Sequence, residues 1–86
     1  MQTATKRWTR TVTIRPFIDA AEDAPEKVPA LLLAMAQVVE GTDESFAEEL
    51  RDAAEMVEDS EDAEGDANYW LAQFYDWADA CRVWVQ

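Results

Sequence analysis

Between Glu44 and Asp59 the chain mixes apolar and acidic residues at a spacing that only a helix satisfies. At about 100° per residue, Phe46, Leu50, Ala53, Ala54 and Val57 gather on one side. Glu44, Glu48, Asp52, Glu55 and Asp59 fall within an arc of about 80° on the other side. A segment of this kind must bury one face and wet the other, so the rest of the chain has to supply its apolar partner. Thr42 or Asp43 stands where a helix cap is needed.

Two more segments carry the helical period. Val28, Leu31, Leu32, Met35 and Val39 predict a mostly buried helix that ends near Glu40, with Gly41 as its stop. Pro29 is tolerated only in a first turn, which puts the start near Val28. After an acidic break containing Gly65, a helix from about Ala67 to Ala80 is expected, with Asp66 as its cap. Its apolar face joins Trp70, Leu71, Phe74, Trp77, Ala78 and Cys81, and Gln73, Asp76 and Asp79 point away.

The two ends read differently. From Trp8 to Ile18, apolar residues alternate with threonines, which favours an extended chain, and Pro16 predicts an edge or a bend near its end. Arg82 to Val85 has the length and alternation of a second strand, and Asp19 to Lys27 is a polar connection. The expected fold class is α+β, ordered β-α-α-α-β, with the N- and C-terminal strands forming a small sheet packed against three helices. A lone two-stranded sheet is marginal in water, so helix packing, or strand pairing between two copies, must complete it. Parallel and antiparallel pairing both fit the pattern.

With 86 residues, 49% of them apolar, one domain spanning 1–86 is expected. The longest apolar run, Ala30 to Ala36, falls far short of a bilayer crossing, so no membrane partner is expected. Lys6, Arg7 and Arg10 precede no apolar secretory core, and a cytoplasmic protein is the expectation.

Several chemistries lack their residues. There is no histidine, and hence no Ser–His or Cys–His arrangement. Cys81 is the single cysteine, expected as a buried, inert thiol. No nucleophile motif or glycine-rich phosphate loop occurs, so neither an enzyme nor a cofactor is expected. The oxygen-rich stretch from Asp59 to Asp66 fails as a calcium loop: with Gly65 in the sixth place, the twelfth is Leu71 where a glutamate is required. No metal site is expected.

What remains is charge. The formal net charge is −12, and it is divided along the chain. Residues 1–18 carry Lys6, Arg7, Arg10 and Arg15 and no acid, while all 19 acids follow, against Lys27, Arg51 and Arg82. The five-residue row on the middle helix contains no base of its own, although neighbouring carboxylates cost about 0.2–0.5 kcal/mol per pair. Its spacing is about one carboxylate per 5.4 Å turn. One strand of duplex DNA carries a phosphate about every 3.4 Å. The row Glu44, Glu48, Asp52, Glu55 and Asp59, extended by Glu58, Asp62 and Glu64, is therefore the candidate contact with a basic protein surface. Tyr69 and Tyr75 flank the aromatic face of the last helix and are candidate secondary contacts. Direct nucleic-acid binding is not expected of so acidic a chain; the bases of the first strand are expected to pair with the protein's own acids or with a second copy. Acidity that serves only solubility or salt adaptation is the alternative, in a non-catalytic accessory or scaffolding module that dimerises through its strands.

In size, and in the acids from Glu40 to Asp66, the chain resembles the small acidic inhibitors encoded by phages. These include nucleic-acid mimics that block restriction enzymes, DNA glycosylases or CRISPR effector complexes, the last being anti-CRISPR proteins. The resemblance is one of class, rests on charge and length over about a third of the chain, and involves no shared motif. It implies a non-enzymatic inhibitor, acting in the host cytoplasm if phage-encoded, that offers a DNA-like row of carboxylates to a basic channel.

Overall fold

The order of elements in the computed structural model, which describes residues 8–86, is β1 (Arg10–Val12), α1 (Arg15–Asp23), a 3-10 turn (Pro25–Lys27), α2 (Val28–Val39), α3 (Glu44–Val57), α4 (Ala63–Cys81) and β2 (Val83–Val85). The terminal strands pair, as the α+β expectation requires, and they pair in parallel, with Arg10 opposite Val83, Thr11 opposite Trp84 and Val12 opposite Val85. Parallel strands need a long crossover, and here the entire helical body forms it.

The first strand is much shorter than its sequence pattern, and a helix, α1, takes over where the strand was expected to continue. The backbone N–H groups of Ile14 and Arg15 both donate to the carbonyl of Gln86, at 2.9 and 3.1 Å, which ends the ladder. Pro16 then sits in the first turn of α1, where its missing N–H costs nothing. Ile14 and Ile18 are both buried. Their separation of four residues fits the strand period and the helix period alike. Ala21, buried at the next helical position, is explained only by the helix.

Other boundaries follow from local chemistry. Pro29 lies in the first turn of α2, and Gly41, at φ 89°, takes the left-handed conformation that closes it. Asp43 caps α3, its Oδ1 accepting from the Phe46 N–H at 3.2 Å. Helix α3 ends at Val57, so Asp59 lies in the following turn and not on the helix. Helix α4 starts at Ala63, ahead of the expected Ala67, because Asp62 and not Asp66 is its cap. Asp62 Oδ1 accepts from the Gly65 N–H at 3.0 Å, and a side chain at Gly65 would run into that carboxylate. Glu64 and Asp66 then occupy the first turn, where the helix dipole favours negative charge.

Helix α2 is the centre of the core: Val28, Leu31, Leu32, Met35, Ala36 and Val39 are all buried. Helix α3 lies closely along it, with Ala47, Leu50 and Ala54 buried, and the small residues permit the approach. Helix α4 contributes Ala67, Phe74 and Ala78 to the interior. Cys81, expected to be buried, is only half-buried.

A non-glycine residue, Arg82, turns α4 into β2 at φ 59° and ψ 43°. A side chain there costs about 1–2 kcal/mol relative to the right-handed helix. Arg82→Gly should therefore raise the melting temperature by about 2–6 °C after the added freedom of the unfolded chain is deducted. A lower melting temperature in calorimetry would show that this turn is not under strain.

Candidate partner-binding surface

Helix α3 exposes its acidic side along a length of about 21 Å. Glu44, Glu48, Asp52 and Glu55 are all exposed, as is Asp59 in the turn beyond. The row is not uniform. Glu44 accepts from the Gly41 N–H at 2.6 Å, and Arg51, about two turns further along, lies 3.7 Å from Glu44 and 3.5 Å from Glu40. These pairs are exposed, so their contribution to stability is about 1 kcal/mol or less. They do neutralise the N-terminal end of the row, and leave Glu48, Asp52, Glu55 and Asp59 as its solvated part.

The extension is more scattered than its sequence suggests. Glu58, at the C-terminal cap of α3, is exposed. Asp62 is turned to its own helix as the α4 cap. Glu64 borders a cleft with Ile18, Ala21 and Glu22, on the side that faces α1. Of the bases in the first segment, Arg10 departs from expectation. Arg10 donates to the Val38 carbonyl at the end of α2, where the helix dipole favours a cation, and not to a carboxylate. Arg15 is exposed at the start of α1, and Lys6 and Arg7 lie outside the described residues.

Helix α4 sorts its aromatic residues by depth. Phe74 is fully buried and stacks on Trp77, with centroids 5.8 Å apart. Trp70 and Trp77 are half-buried, both 6.4 Å from Phe46 of α3. Tyr69 is 57% exposed, edge-on to Trp70 at 5.1 Å, whereas Tyr75 borders a separate cleft with Trp8 and Trp84. The two tyrosines therefore belong to two surfaces, not one. Trp8 and Trp84 meet at 5.0 Å over the strands.

A surface not anticipated from the sequence lies between α3 and α4. The two helices meet only lightly, both being held by α2, and they leave a groove made of two clefts of about 330 and 400 Å³ that share Glu49 and Trp70. Ala53, Met56, Val57, Phe46 and Trp77 supply its apolar lining. Asp43, Glu49, Asp52, Asp66 and Asp76 line it as well, and among the described residues neither cleft is lined by a base. The one signal in the sequence is that Trp70 and Trp77 fall at the margin of the apolar arc of α4, but nothing there shows which helix lies opposite.

Every ionisable side chain among the described residues is at least partly exposed. Among the same residues no three of His, Cys, Asp or Glu converge as metal ligands, and no helix is long and apolar enough to cross a membrane. Comparison with protein-family models, with curated proteins and with solved structures finds no match.

Proposed function

We propose that this protein binds a nucleic-acid-handling protein and blocks its basic channel with the carboxylates of α3. The observation that carries the reading is the solvated row Glu48, Asp52, Glu55 and Asp59, which forms no ion pair among the described residues. A row of like charges opposes folding, by about 0.2–0.5 kcal/mol for each neighbouring pair, and the reading gives that cost a purpose. Glu44 serves at the edge of the contact, since Arg51 shares its charge. A CRISPR effector or a restriction enzyme has the kind of channel such a row would fill. The complementary potential would speed encounter at low salt and lose force as salt screens it.

The test is affinity capture from the native host at low and at moderate salt, followed by mass spectrometry and by displacement with duplex DNA. A nuclease or effector subunit that is retained at low salt, released at moderate salt and displaced by DNA supports the reading. Retention that ignores both salt and DNA rejects it, and favours an accessory module held by apolar contacts.

A further inference from the structure

We propose that the groove between α3 and α4 is a docking site for an amphipathic basic helix of a protein partner, distinct from the outer carboxylate row except at Asp52, which borders both. The groove follows α3 from Asp43 to Val57, about 21 Å, which matches about four turns of a guest helix. Its floor is mainly apolar at the Val57 end and mixed at the Asp43 end, and Met56, at 74% exposure, is the most exposed large apolar side chain among the described residues. A guest that places leucines or other apolar residues at i, i+3, i+4 and i+7 would cover this floor, as amphipathic helices do in grooves of this kind.

Charge decides the flanks of that guest. Asp43, Glu49 and Asp52 stand on the α3 side and Asp66 and Asp76 on the α4 side, so an acidic helix would be repelled from both walls. Arginine suits the site better than lysine. Its planar guanidinium can pair with a carboxylate while it lies over an aromatic face, and the half-buried Trp70 beside the exposed Tyr69 offers such faces. Arg51, the one base on α3, is turned to Glu40 and Glu44 on the other flank and does not compete for the groove.

The probe is a synthetic helical peptide of about four turns, with leucines on one face and arginines beside them, and a copy that carries glutamates in place of the arginines. Binding is followed by NMR on the labelled full chain. The arginine peptide should shift the Met56 methyl and the Trp70 and Trp77 indole signals, and leave Phe17 and Leu33 on the α1–α2 side unchanged. The glutamate copy should not bind. Two double variants of equal charge change separate the groove from bulk charge. Glu49→Lys with Met56→Lys, both exposed groove residues, should weaken the peptide about tenfold or more. Glu48→Lys with Glu55→Gln, which lie outside both clefts, should change it less than about threefold. Equal losses in the two variants, binding of the glutamate copy, shifts elsewhere, or no binding would each overturn the proposal. So would a dimer, seen by sedimentation without peptide, that the groove pair of substitutions dissolves, because a second copy would then be the occupant. The proposal stands apart from the outer row: a peptide indifferent to the groove variant sinks it and leaves the row's reading untouched.

Discussion

Reversing Glu48, Glu55 and Asp59 to lysine should reduce binding to a basic-channel target by about a hundredfold or more at low salt, while the fold survives. All three side chains are exposed, none lines the groove between α3 and α4, and none carries a cap. Glu44 and Asp52 would face new lysines one turn away, so some local repulsion is replaced by attraction, worth about 0.2–0.5 kcal/mol per pair. Stability measured by urea unfolding should accordingly stay within about 1 kcal/mol of the parent. The salt dependence carries a second expectation. Parent affinity should fall steeply as ionic strength rises, and the variant's residual affinity should hardly change, because the screened charges are no longer the ones in contact. Parent-like affinity in the folded triple variant would end the mimicry proposal.

Phe74→Ala should have the largest effect on stability, a loss of about 3–5 kcal/mol. Phe74 is fully buried, among the largest of the fully buried side chains, and stacks on Trp77, through which α4 also meets Phe46 of α3. Small domains have total stabilities toward the low end of about 5–15 kcal/mol, so such a loss would leave a substantial unfolded fraction. Phe74→Leu, which keeps much of the volume, should lose about half as much or less. Tyr75→Ala, at an exposed neighbouring position, should cost about 1 kcal/mol or less. Similar losses at positions 74 and 75 in urea titrations would mean that α4 does not bury the face described here.

Much of the fold was legible because periodicity and punctuation agree locally. Pro29 and Gly41 bracket α2, Asp43 caps α3, and each apolar residue expected on the inner face of α2 is buried. Where the reading failed, two local rules gave the same answer for different structures. Ile14 and Ile18 satisfy both strand and helix spacing, and only the bonds from Ile14 and Arg15 to Gln86, at the far end of the chain, decide for the helix. Gly65 reads as a break in an acidic stretch, yet its missing side chain is what lets Asp62 close over the first turn of α4.

The helical part of the acidic row, from Glu44 to Glu55, was set by the sequence alone. Residues three and four apart on a helix share a side whatever the helix packs against. Its neutralised end, the parallel strands, the separation of Tyr69 from Tyr75 and the groove beside Trp70 came from the tertiary structure. Each depends on which elements become neighbours, and that is decided by how α2 gathers α3 and α4 around it, a relation between distant parts of the chain that no local spacing encodes.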